Sequence, residues 1–325
     1  MKDNIKKIVI STTSFAEYDN LPVELCKKRG YEVFFNPHKR KVKPEELIDL
    51  SRDAIGLIAG TEAISESVLT KLPHIKVISR CGSGIDNIDL DATKRLGIKV
   101  FNTPDAPTLA VAELTVGLML NLLRKTCQMN SDTKNGIWQK RMGSLLYEKR
   151  VGIKGFGRIG RKIAELLKPF NCEIAYADPN VKDGLLGFKC LSLEDLLAWA
   201  DIVTIHVGVG KKLIGEKEFK LLKKGTWLIN TSRGGVVDES ILYEYLRSGY
   251  LTGAAVDVFE DEPYIGPLKK LDNIILTPHI GSYAKEARIE MEKQAMENLL
   301  KGLKGINNED TKARRKDSEG FVSAP

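Results

Sequence analysis

The run Val151-Gly-Ile-Lys-Gly-Phe-Gly-Arg-Ile-Gly160 constrains this chain more than any other stretch. Val151 to Ile153 reads as a short buried strand. Gly155, Gly157 and Gly160 follow in G-x-G-x-x-G spacing. Ile159, Ile163, Leu166 and Leu167 recur with the helical period, and Glu173 to Ala177 reads as a second strand ending at Asp178. Each residue type has a task in a dinucleotide site. The first glycine permits the tight strand-to-helix turn, the second lets the backbone approach a pyrophosphate, and the third lets the helix pack on the strand. N–H groups and the positive end of the helix dipole face the phosphates. Asp178 lies 18 residues after the last glycine. There it can accept hydrogen bonds from the adenosine ribose and repel a 2′-phosphate, which favours NAD over NADP. Glycines alone also mark ordinary turns; the order strand, helix, strand, acid carries the reading. Lys154 stands at the strand end, where an apolar residue is usual. The preferred reading is a side chain snorkelling from the strand tip; the other is a charge close to the pyrophosphate.

The 325 residues suffice for two domains, and 42% hydrophobic content can fill their cores. A net charge of +7 is a mild excess of 50 Lys and Arg over 43 Asp and Glu. It suits an anionic substrate and cofactor and argues for no nucleic-acid partner. Five scattered cysteines without a C-x-x-C pair indicate neither a disulfide framework nor a zinc site, so no metal is expected. The start shows no signal-peptide h-region and no apolar run reaches membrane length, so the expectation is a cytoplasmic protein without a membrane partner.

Strands read at 5–11, 31–35, 54–59, 75–79 and 99–102 alternate with helices at 22–29, from Pro44, and at 67–72. The same rhythm continues after Asp178. Helices read at 193–199, 216–222 and 239–247, and strands at 202–207, 226–230, 254–258 and 274–276. Such alternation implies parallel, doubly wound sheets. Leu109 to Leu123 is an apolar helix with little polar face, suited to a domain or subunit interface. Residues 126–147 read as polar and irregular. Residues 284–303 form a closing helix with Ile289, Met296, Leu299 and Leu300 as candidate buried positions. From Lys304 the composition turns polar, and 305–325 reads as a disordered tail.

Hydride transfer to a keto group requires an acid for the developing alkoxide. Of four histidines, His38 and His74 sit in turns of the N-terminal half, and His206 lies on a strand. His279 follows the last strand, at the carboxyl edge where such folds bind ligands. Arg233 ends the strand of Asn230-Thr-Ser-Arg-Gly-Gly, and a guanidinium suits a planar carboxylate. Asp257-Val-Phe-Glu-Asp-Glu-Pro263 puts acids at the next tip, where a carboxylate beside His279 would fix its ring orientation. Singly, each reads as a surface group; together at successive tips they read as an active site. The turn around Ser83 and Gly84 in Arg80-Cys-Gly-Ser-Gly-Ile-Asp-Asn is either a carboxylate-holding loop or a plain βα turn.

With these residues in view, the chain resembles the D-isomer-specific 2-hydroxyacid dehydrogenase family, in particular its short phosphoglycerate dehydrogenase-like members. Further marks are Val111-Ala-Glu113, Ile229-Asn-Thr-Ser-Arg-Gly-Gly-Val-Val-Asp-Glu239 and Thr277-Pro-His-Ile-Gly281. The resemblance implies an α/β fold of two doubly wound parallel-sheet domains. A Rossmann NAD-binding domain, 102–283, would be inserted into a flavodoxin-like substrate domain, 1–101 plus 284–304. It implies NAD as cofactor and a D-2-hydroxy acid as substrate, D-3-phosphoglycerate among the candidates. In this reading Arg233 binds and polarises the 2-keto acid, and Glu262 pairs with His279, the acid in reduction and base in oxidation. Gly155, Gly157, Arg158, Ile159 and Gly160 meet the pyrophosphate, Asp178 the ribose and Asp257 the nicotinamide carboxamide. Thr231 and Ser232 lie along the cofactor. Ser83 and Gly84 hold the substrate carboxylate through backbone N–H groups. A homodimer through the nucleotide domains is also implied.

Three departures stand out. Val207-Gly-Val-Gly-Lys-Lys-Leu-Ile214 is shorter than the usual loop and lacks its proline. The ending His279-Ile-Gly-Ser-Tyr283 brings Tyr283 to the pocket. No regulatory C-terminal domain follows, so serine feedback is not expected. Lys140 and Arg141, near Trp138, are candidates for a substrate phosphate. The alternative function is an NAD(H)-sensing regulator or scaffold on the same fold.

Overall fold

The computed structural model describes residues 6–181, 183–208 and 212–319, with side chains as far as 305. The chain forms two units, Met1–Pro107 with Lys285–Pro325, and Thr108–Ala284. The sequence reading placed the borders after 101 and before 284.

The first unit begins β1 (Lys6–Ile10), α1 (Leu21–Lys28), β2 (Tyr31–Phe35), α2 (Pro44–Ser51) and β3 (Ala54–Ala59). It continues through α3 (Glu66–Leu69), β4 (Val77–Arg80), α4 (Leu90–Arg95) and β5 (Lys99–Asn102). The five strands are all parallel in the order β2-β1-β3-β4-β5, the flavodoxin-like winding. Central strands covered on both faces read as continuous apolar runs, as in Ala-Ile-Gly-Leu-Ile-Ala of β3. Pro44 opens α2 at a position that has no N–H to lose. The short α4 went unread in the sequence. Its start is fixed by Asp89, whose side chain accepts the Ala92 N–H at 2.9 Å.

The second unit runs α5 (Thr108–Arg124), α6 (Thr126–Lys134), β6 (Arg150–Lys154), α7 (Arg158–Leu167), β7 (Glu173–Ala177), β8 (Lys189–Cys190) and α8 (Leu193–Trp199). It ends with β9 (Ile202–Ile205), α9 (Glu216–Phe219), β10 (Trp227–Asn230), α10 (Glu239–Arg247), β11 (Gly253–Val256) and β12 (Ile274–Leu276). Its seven parallel strands lie in the order β12-β11-β10-β9-β6-β7-β8. The winding reverses between β9 and β6, the switch point at which such sheets open a ligand crevice. Val151 and Ile153 of β6 face α5 and α7, burying Ile163, Ala164 and Leu167. Gly152 faces Leu196 and Ala200 on the α8 side.

Three more elements differ from the sequence reading. Residues 126–134 are helical, not irregular; α6 buries none of its side chains, so no apolar period betrays it. The two-residue β8 is too short to leave a pattern. α11 (Lys285–Glu319) runs through most of the stretch read as a disordered tail. Residues 306–319 carry no proline and many Lys, Arg and Glu, good helix formers without an apolar face. Residues 320–325 lie outside the described residues. Met291, Ala295, Met296, Leu299, Leu300 and Leu303 of α11 pack with Ile8, Ile10, Ile58 and Val77 of the first unit. Ile289 is only partly covered, while Arg288 and Glu292 lie inside as a 2.9 Å ion pair. No helix among the described residues is long and apolar enough to cross a membrane.

Candidate active site

The glycine turn follows β6. Gly155 has φ +91°, a left-handed conformation, and a Cβ there would overlap the His206 carbonyl oxygen. A Cβ at Gly160 would overlap the Gly155 carbonyl, so only glycine lets α7 sit this close to the strand end. At Gly157 the added atom would meet nothing within 4 Å. That open side, with an α7 N-terminus that no side chain caps, fits a pyrophosphate. Arg158 is exposed and Ile159 partly so at the start of the helix. Asp178 sits at the tip of β7, where its carboxylate accepts the N–H groups of Phe156 at 2.8 Å and Asn180 at 2.9 Å. Two such bonds leave lone pairs for ribose hydroxyls.

Arg233, Glu262 and His279 lie beyond the tips of β10, β11 and β12. The β10 turn is internally tied: Asn230 Oδ1 accepts the Ser232 N–H at 3.0 Å and the Ser232 hydroxyl at 2.7 Å, and Asn230 Nδ2 donates to the Arg233 carbonyl at 3.1 Å. A Cβ at Gly234 would overlap the Phe259 carbonyl, so the Arg233 turn presses directly on the loop that carries Glu262. His279 Nδ1 is 3.0 Å from both Glu262 oxygens, with about a third of each side chain exposed. The sequence pair is thus one hydrogen-bonded unit open to solvent. Thr231 and Ser232 turn their hydroxyls inward, Thr231 to Thr115 on α5 at 3.0 Å and Ser232 to Asn230.

Asp257 is fully buried at the end of β11. Its Oδ1 accepts the Thr277 hydroxyl at 2.6 Å and the Ile280 N–H at 2.8 Å, and its Oδ2 accepts the Gly281 N–H at 2.8 Å. Burial pushes its carboxyl above the usual range, against the pull of the Thr277 hydroxyl and the Ile280 N–H. The acid therefore clasps the turn bearing His279, a role sequence reasoning missed; its only trace was Thr277 beside Pro278. The clasp explains how His279 keeps φ +55°, uncommon for a residue with a side chain.

The other histidines separate cleanly. His38 and His74 are exposed in turns. His206 follows β9 with Nε2 2.7 Å from the Thr204 hydroxyl, and burial draws its pKa down to about 3, so the ring stays neutral. Tyr283 is 55% exposed. Of the shortened loop after His206, residues 209–211 lie outside the described residues. Arg141 is engaged by Asp132 at 2.8 Å.

In the first unit, the turn after β4 is pinned from β5. Gly82 donates to the Thr103 hydroxyl at 2.8 Å, Thr103 donates back to the Gly82 carbonyl, and Asn102 Nδ2 donates to the Ser83 carbonyl at 2.7 Å. The N–H groups of Ser83 and Gly84 make no hydrogen bond with another described residue.

The profile of the D-isomer specific 2-hydroxyacid dehydrogenase NAD binding domain matches residues 116–281. The chain belongs to the D-isomer-specific 2-hydroxyacid dehydrogenase family. It is 38% identical to a glyoxylate reductase of Thermococcus litoralis over 75% of this chain and 79% of that one. It is also 38% identical to a D-3-phosphoglycerate dehydrogenase of Methanocaldococcus jannaschii over 80% of this chain, but spans only 52% of that relative's length. A crystal structure of a glyoxylate reductase from Paecilomyes thermophila superposes with a TM-score of 0.81 at 28% identity, covering 91% of this chain and 94% of the other. The second unit is this family's NAD-binding domain, and NAD is its cofactor.

Proposed function

We propose that this 2-hydroxyacid dehydrogenase family member interconverts a small anionic 2-keto acid and the D-2-hydroxy acid, with NAD as hydride carrier. The observation that carries the reading is the His279–Glu262 pair, 3.0 Å apart and open to solvent, in the unit that holds the dinucleotide turn. Gly155, Gly157 and Gly160 would hold the dinucleotide, which would supply the hydride in reduction. His279 Nε2 delivers a proton to the carbonyl oxygen while Nδ1–H donates to Glu262, which stabilises the protonated ring. In oxidation the same nitrogen takes the hydroxyl proton. Arg233 holds the 2-keto acid and polarises its carbonyl through parallel N–H donors. The N–H groups of Ser83 and Gly84 are assigned to a carboxylate.

Arg141, one of the two sequence candidates for a substrate phosphate, is already paired with Asp132 at 2.8 Å, and Lys140 remains the other. The half to nearly fully exposed Ile137, Trp138, Met142, Leu145 and Tyr147 form an apolar arm, and we assign its cover to a second copy in a cytoplasmic homodimer. Light scattering checks the dimer. The deciding experiment is NADH oxidation with glyoxylate, hydroxypyruvate, pyruvate, 2-oxoglutarate and phosphohydroxypyruvate. Turnover of the small acids supports the reading. Preference for phosphohydroxypyruvate moves it to phosphoglycerate. NADH binding with no turnover would favour an NAD(H)-sensing regulator.

A further inference from the structure

Lys154 is a buried lysine that neither packing nor the mechanism above requires. It ends β6, paired in register with Ala177 of β7 on one side and Ile205 of β9 on the other, and so stands at the switch point itself. Side chains alternate along a strand, so Lys154 shares the face of Gly152, against Leu196 and Ala200, away from α7. It is 9% exposed. Its ammonium makes no hydrogen bond or ion pair with another described residue. Burial pulls its pKa below the ordinary lysine range, while Asp178 first, then Cys190 and Glu194, act to raise it.

An unpaired cation in such a place costs free energy that an apolar side chain would not. A strand tip with Gly152 and Ala177 for neighbours has no need of an ammonium. The snorkelling reading also fits poorly, since a snorkelling lysine keeps its head in water. The feature beside it that uses charge is Asp178. That carboxylate is held at the β7 tip by the N–H groups of Phe156 and Asn180. Its exclusion of a 2′-phosphate is therefore set by the local charge, and Lys154 supplies the opposite sign.

We infer that Lys154 is a cofactor-specificity residue: beside Asp178 at the β6 and β7 tips, it offsets that carboxylate and lets the site take a 2′-phosphorylated dinucleotide alongside NAD. The inference rests on the NAD-site reading above, and binding tests it without turnover. Dissociation constants for NADH and NADPH are measured by nucleotide fluorescence with the wild type, K154M and K154R. The wild type should bind both. K154M should shift the NADPH-to-NADH affinity ratio against NADPH by about tenfold to a hundredfold, the size of one charge-assisted hydrogen bond. K154R, which keeps the charge, should restore much of the ratio. A wild type that binds NADH but not NADPH, or a ratio unmoved in K154M, overturns the inference while leaving the NAD site intact. Failure of the wild type to bind either nucleotide overturns both.

Discussion

Asp257 and Gly281 lie 24 residues apart in sequence, and the carboxylate of one accepts the N–H of the other at 2.8 Å. With the bonds from Thr277 and Ile280, this makes the His279 turn part of the sheet edge instead of a free loop. Asp257→Asn is nearly isosteric but must point an amide donor at groups that are all donors. We expect kcat to fall about 10²-fold, the cost of a misplaced catalytic group. Hydrogen exchange at the Ile280 and Gly281 amides should accelerate. If exchange is unmoved and NADH affinity falls instead, Asp257 acts on the cofactor.

His279→Ala removes the proton donor. Its kcat should fall about 10²–10⁴-fold, the range for lost general acid catalysis, with NADH affinity retained. Glu262→Gln keeps a partner for Nδ1 but loses the charge that stabilises the protonated ring, so kcat should fall while substrate KM changes less than kcat. Full activity in His279→Ala would mean the acid is misassigned.

Two glycine substitutions should separate binding from folding. Gly157→Ala meets no atom within 4 Å, so the urea midpoint should hold while NADH affinity drops, because the methyl enters the pyrophosphate space. Gly234→Ala overlaps the Phe259 carbonyl and should cost about 1–3 kcal/mol, seen as a lower midpoint at constant m. NADH binding unaffected in Gly157→Ala would remove the turn from the cofactor site.

His206 links stability to acid. Its folded pKa is about 3 against 6.5 when unfolded, so between these values the unfolded chain binds the extra proton. The contribution is present above pH 6.5 and is lost as pH falls towards 3. Urea midpoints from pH 7 to pH 4 should fall more steeply for the wild type than for His206→Gln, which cannot titrate. Parallel slopes would show that His206 is not buried neutral.

Much of this protein was legible in one dimension. Strand–helix alternation, the glycine spacing, Asp178 and the placing of Arg233, Glu262 and His279 just past strands are local patterns, and a parallel sheet aligns such ends at one edge whatever the packing detail. Elements without an apolar period escaped: α6 because it buries nothing, β8 because it is two residues long, and the end of α11 because charged helix formers resemble a solvated tail. Only the tertiary structure decided where side chains point and what they lose on burial. It joined His279 to Glu262 across 17 residues, turned Asp257 onto the 277–281 turn, drew the Thr231 hydroxyl to Thr115, and left Lys154 covered beside Asp178. Orientation and desolvation depend on neighbours far away in the chain, and no local residue pattern encodes them.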